Sequence, residues 1–247
     1  MKIQRPLASL RGSSNSKGAN RVNKDIGSGI SDFFRHSGEG TAARAEDRNQ
    51  GTAMFLALDD HSRVTLIHSI LNTWQSGGEL NEAMASGALR QAWDAEPYLG
   101  GARLGSYVTH AIAKLEDAAS FHMGEFIFEW GQMLMSDAES KQLAAKSFPL
   151  TVYRGGIGSV DEVASGFSWT LSRKVASFYA HEWPRRWVLE GNPVIVSGLV
   201  DDNVPNAFFD DRDEAEIVIA YPDDVEDLSI CQEGNNEIKS ATGSQGN

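Results

Sequence analysis

The sequence predicts an α+β protein in which a helical N-terminal layer precedes a mainly antiparallel β core. Three observations carry this. Apolar residues recur at helical spacing from Thr52 to about Lys146. From Thr151 onward the chain breaks into short β-branched or aromatic runs bounded by Gly, Pro, Asn and Asp. Helices come first and strands later, the order of an α+β arrangement.

Residues 1–50 are rich in Ser, Gly, Asn and Arg with scarcely any apolar periodicity, and are expected to be a disordered basic tail. They hold nine Lys/Arg and five Asp/Glu, a balance of +4. The remaining residues hold 13 and 29, a balance of −16, which together give the net −12. So acidic a body argues against broad contact with nucleic-acid phosphates, and suits a basic protein target. The tail reads either as a simple flexible leader or as an address for delivery into a host cell by a route that needs no signal peptide. No apolar run approaches the roughly 20 residues that span a bilayer, so the expected protein is soluble, cytoplasmic or delivered by that route. Its one cysteine, Cys231, excludes an intramolecular disulfide.

Residues 51–147 form the helical region. Phe55, Leu58, Val64, Ile67 and Leu71 fit one amphipathic helix ending near Gly77-Gly78, and Leu80, Met84, Leu89 and Trp93 fit a second. Ile112, Leu115, Ala119, Phe126, Trp130 and Met133 mark a third from Ser106 to Met135. His61, His68, His110 and His122 lie here without the clustered partners a metal would need, and no metal is expected.

Residues 148–231 form the β core, ahead of a polar tail at 232–247. Expected strands are Thr151–Gly156, Phe167–Leu171, Arg186–Leu189, Val194–Leu199, Ala207–Phe209, Glu216–Tyr221 and Val225–Ile230. Between the second and third, Ser172 caps a helix running to Ala180, with Val175, Ala176 and Tyr179 on one face.

Three rims of this core carry chemistry. Arg154 ends an apolar strand beside Gly155 and Gly156, which would let a ligand approach the backbone. Ser168 and Thr170 alternate on the next strand and share a face. The run from Phe209 to Glu216 holds five acidic residues in eight positions, Asp210, Asp211, Asp213, Glu214 and Glu216, and feeds directly into a β-branched strand. Read alone, that run is a solvated turn.

Taken together, Tyr153-Arg154-Gly155, Ser168-Trp169-Thr170 and Glu214-Ala215-Glu216 resemble the three motifs of ADP-ribosyltransferases of the arginine, serine, glutamate class, which includes cholera-type toxins. The resemblance covers about residues 149–230. Two departures stand out: Trp169 occupies the place of a small Thr, and only fourteen positions separate Arg154 from Ser168, short of the toxin spacing that holds a helix over the NAD site. The resemblance implies an enzyme that takes NAD as substrate. Cleavage of its ribose–nicotinamide bond passes through an oxocarbenium-like sugar and calls for negative charge beside the ribose. It assigns that charge to Glu216, which bonds the 2′-hydroxyl, and gives Arg154 to the dinucleotide, whose oxygens suit a guanidinium fork. Gly155 offers its backbone to the nicotinamide amide, Ser168 holds Glu216, and Thr170 lines the same floor. Glu214 goes with arginine on a target protein as acceptor. Arg185 and Arg186, between Trp183 and Trp187, are candidates to cover the pyrophosphate. Two other readings stay open: an NAD glycohydrolase, and an inactive relative that binds a protein partner, with Trp169 filling the pocket.

Overall fold

A computed structural model of the chain describes residues 31–34, 40–95, 107–112, 120–186, 188–210 and 212–231. The expected terminal tails therefore lie largely outside the described residues, as do residues 113–119 of the long third helix. The chain divides into two units that meet between Val108 and Thr109.

In the first unit a 3-10 turn, Ser31–Phe34, is followed by helices α1 (Thr41–Ala57), α2 (Asp60–Gln75) and α3 (Glu82–Asp94), and α4 (Tyr107–Ile112) spans the junction. The pairing of α1 with α3 depends on two glycines. A Cβ on Gly51 would lie 1.9 Å from the Met84 carbonyl oxygen, and one on Gly87 would lie 2.0 Å from that of Arg48. The two backbones touch, and Thr52 Oγ1 adds a hydrogen bond to the Gly87 carbonyl at 3.2 Å. Phe55, Ile67, Ile70, Leu71, Ala88 and Leu89 fill the core beside this contact.

The expected single helix over Phe55–Leu71 is two. Asp59 breaks it, because its carboxylate accepts from the Ser62 amide at 2.8 Å and caps α2. Helix α1 also starts well inside the segment read as a disordered tail. Its opening residues, Ala42, Ala43, Ala45 and Glu46, are strong helix formers without an apolar stripe, so propensity rather than periodicity marks it.

The second unit holds a six-stranded sheet in the order β4-β5-β2-β1-β3-β6. Its strands are β1 (Leu150–Ile157), β2 (Ser168–Thr170), β3 (Pro193–Val200), β4 (Pro205–Phe209), β5 (Glu216–Ile219) and β6 (Glu226–Ile230), and every described pairing is antiparallel. The architecture is thus α+β, with helix and antiparallel sheet. Helices α5 (Ser120–Leu134) and α6 (Asp137–Ala144) pack near β4, where Phe126, Ile127, Trp130 and Leu134 are buried. Central β5 is buried along its whole length, and β6 at the sheet edge is exposed along its whole length.

Three short helices line the strands: α7 (Val160–Ala164), α8 (Arg173–Ser177) and α9 (Trp183–Arg186), with a π-helical turn, Phe178–Glu182, between the last two. Helix α7 occupies the short interval between Arg154 and Ser168. It is closed by a capping box in which Ser159 and Glu162 bond each other's backbone amides. The strand expected over Arg186–Leu189 is not one. Arg186 ends α9, in which Pro184 sits inside the first turn, where a proline is tolerated, and 188–190 are turn and coil. No helix among the described residues is long and apolar enough to cross a membrane.

Candidate functional site

The site begins with the register of three central strands. Tyr153 of β1 lies opposite Thr170 of β2, and Thr170 lies opposite Glu216 of β5. Residues opposite one another share a sheet face, so Tyr153, Thr170 and Glu216 form a row. Ser168 falls on that face as well, opposite Val218. Trp169 alternates to the other face, is 1 % exposed and donates its indole N–H to the Gly166 carbonyl at 2.9 Å. The indole is a core residue turned away from Thr170 and Glu216.

The ladder between β1 and β2 consists of that one pair. Beyond it the Arg154 guanidinium, not a β1 amide, donates to the Ser168 carbonyl. It lies flat against Gly166, where a Cβ would fall 2.0 Å from its carbon. Burial lowers the Arg154 pKa, and the charge of Glu216 works against that shift. Gly155 makes a close packing contact. A Cβ there would stand 1.7 Å from the Ala176 carbonyl oxygen and 3.0 Å from the Ala180 amide, so its missing side chain is filled by the helical segment above β1. The opening that Gly155 provides is taken by protein.

The acidic loop is tied down at both ends. At its start the Asp210 amide donates to Oε1 of Glu139 at 3.2 Å, a buried carboxylate whose other oxygen closes the capping box of α6. At its end the Leu171 amide donates to the Ala215 carbonyl at 3.0 Å, and Thr170 Oγ1 donates to the Glu214 carbonyl at 2.5 Å while accepting from the Ser172 amide at 3.0 Å. Thr170, rather than Ser168, is therefore the hydroxyl that holds the loop. Ser168 contributes its carbonyl, to Arg154.

Between these ties the loop is not extended. Asp213 and Ala215 both take left-handed backbone, with φ of 55° and 46°. Neither is glycine, and each such residue costs roughly 1–2 kcal/mol. The two reversals flank Glu214 and bring its carboxylate to the same guanidinium as Glu216. Arg212 Nη2 is 2.9 Å from Glu214 Oε2 and 3.3 Å from Glu216 Oε2. Glu214 Oε1 accepts from the Tyr179 hydroxyl at 3.0 Å. Burial, with the adjacent Glu214 carboxylate, pushes the Tyr179 phenol well above its usual range.

Tyr179 stands on the π-helical turn, a rare form that is frequent at functional sites, and packs edge-on against Phe178 at 5.4 Å and beside Trp183 at 5.7 Å. The cluster thus unites Thr170, Glu214 and Glu216 with Tyr179 and Arg212, while Arg154, which alternates with Tyr153 on β1, stands against the Ser168 carbonyl and Gly166. Arg212 was not singled out in the sequence; its one signal there is its place in an Arg-x-Glu-x-Glu alternation. Tyr179 was legible only as an apolar helix position. Arg185 and Arg186 are exposed; Arg185 pairs with Glu182 at 3.4 Å, and Arg186 lies over the Phe178 ring at 5.0 Å. Among the described residues no group of three or more His, Cys, Asp or Glu could hold a metal ion.

No family model, curated protein or solved structure matches the chain.

Proposed function

We propose that the chain is a mono-ADP-ribosyltransferase, built on an ADP-ribosyltransferase-like β core, that moves ADP-ribose from NAD to an arginine of a target protein. One observation carries this reading. Two carboxylates from a single loop, Glu214 and Glu216, converge on one guanidinium beside Thr170.

The chemistry follows from charge and burial. Glu216 is 5 % exposed, so little water screens it, and its charge acts strongly on a sugar that becomes cationic as nicotinamide leaves. In this role it bonds the ribose 2′-hydroxyl. Arg154 spends one donor on the Ser168 carbonyl and has further N–H groups for the dinucleotide. Glu214 has one oxygen held by Tyr179, which leaves the other turned towards a guanidinium. That arrangement orients an acceptor arginine and takes its proton. Trp169 is buried on the sheet face opposite Thr170 and Glu216.

The test is incubation of the chain with NAD labelled in its adenylate, in the presence of lysate, with nicotinamide release and macromolecular label followed separately. Glu216→Gln should lower both by about 10²–10³, the effect of removing one preorganised stabiliser. Glu214→Gln should remove transfer and spare release. Full activity in a folded Glu216→Gln variant would overturn the assignment, and release without label would make water the acceptor.

A further inference from the structure

The two carboxylates of the acidic loop already hold a guanidinium, and it belongs to the chain itself. Exposure rises in steps along this contact, from 6 % for the Glu216 side chain to 24 % for Glu214 and 39 % for Arg212. The arginine therefore stands at the solvent side of the pair, where an incoming acceptor would arrive. The same nitrogen, Nη2, faces both carboxylates. The half-exposed Arg212–Glu214 pair adds little stability by itself, yet the residues on both sides of Glu214, Asp213 and Ala215, take left-handed backbone. Such strain persists where a site requires a geometry.

Resting on the reading of the site as NAD-cleaving, we propose that Arg212 is itself an acceptor, so that the chain ADP-ribosylates its own acidic loop. If Glu216 binds the ribose 2′-hydroxyl, the carbon next to it, C1′, comes close to a nitrogen only 3.3 Å from that carboxylate. In the step, the Arg212 Nη2 lone pair forms a bond to C1′ as the bond from C1′ to the nicotinamide nitrogen breaks. Nicotinamide leaves as a neutral molecule with the bonding pair. The proton lost by the guanidinium passes to Glu214 and then to water. No further reactant is needed. Because nucleophile, base and ribose-binding carboxylate sit in one loop, the reaction runs within a single chain at high effective concentration.

The experiment uses the full chain alone with NAD, followed by nicotinamide release and by peptide mass mapping. The expected result is one ADP-ribose on the peptide that contains Arg212, formed at a rate unchanged on dilution of the protein. In the Arg212→Lys chain that adduct should be absent from the corresponding peptide. Release of nicotinamide with the wild-type Arg212 peptide unmodified overturns the proposal and leaves the transferase reading standing. Absence of nicotinamide release from the wild-type chain overturns both.

Discussion

Replacing Thr170 with valine isolates the tie that closes the acidic loop. The side chain is 6 % exposed, and its single oxygen serves two backbone groups, the Glu214 carbonyl at 2.5 Å and the Ser172 amide at 3.0 Å. Valine keeps the shape and removes the oxygen. A buried backbone group left without its partner costs about 1–3 kcal/mol. Both partners here are only part-buried, so the low end applies to each, about 2 kcal/mol for the pair. Thr170→Ser is the control. It keeps the oxygen and loses one methyl group, worth about 0.8 kcal/mol. Valine should therefore be less stable than serine by roughly 1 kcal/mol. Urea unfolding of the three proteins, with slopes compared to confirm a common unfolded state, measures the difference. The valine variant should also lose NAD cleavage while serine retains it, since the left-handed backbone around Glu214 has lost its restraint. A valine protein as stable as the serine one would show that Thr170 contributes only packing, and the loop argument would fail.

Other outcomes follow from the same contacts. The Tyr179 phenol has its pKa raised above the ordinary tyrosine value of 10.0, so the folded state holds its proton where the unfolded chain releases it. Its contribution to stability is full below about pH 10 and is lost as pH rises from there towards the folded value. Tyr179→Phe should flatten that alkaline decline in a series of unfolding curves, and an unchanged decline would remove Tyr179 as its source. Gly155→Ala forces a Cβ to within 1.7 Å of the Ala176 carbonyl oxygen, and should cost on the order of 3 kcal/mol by thermal unfolding. Gly156→Ala meets only the Val163 side chain at 3.1 Å and should cost distinctly less.

Much of the sheet was legible in the sequence because its strands are short, β-branched and separated by turn residues. Strands β1 and β3 to β6 fall close to the expected runs, and Ser172 caps α8 as its position suggested, accepting from the Val175 amide at 3.4 Å. The failures have physical causes. Phe55 to Leu71 keeps a nearly continuous apolar phase across two helices, which hides the break that Asp59 makes. Val188 and Leu189 look like strand residues, yet they follow a helix that contains Pro184 and are exposed.

At the site, Arg154, Thr170, Glu214 and Glu216 could be named from motif order, because strand neighbours and strand rims are nearly local properties. Arg212 and Tyr179 could not be assigned. Their contact with the carboxylates depends on reversals at Asp213 and Ala215, and neither residue announces left-handed backbone as glycine would. The packing over Gly155 was hidden for a related reason. What fills the space above a glycine is decided by a distant element, here the backbone around Ala176.

The π-helical turn at Phe178–Glu182 sets the angular phase of everything after it. An α-helix advances about 100° per residue, and a π turn accommodates the equivalent of one added residue. Deleting a single residue after Tyr179 would let the segment relax to regular helix, with the phenol left beside Glu214 and the aromatic and basic side chains of Trp183, Arg185 and Arg186 rotated by about that angle. The turn thus works as a dial between the end that grips the acidic loop and the end that meets solvent, and one codon would move it.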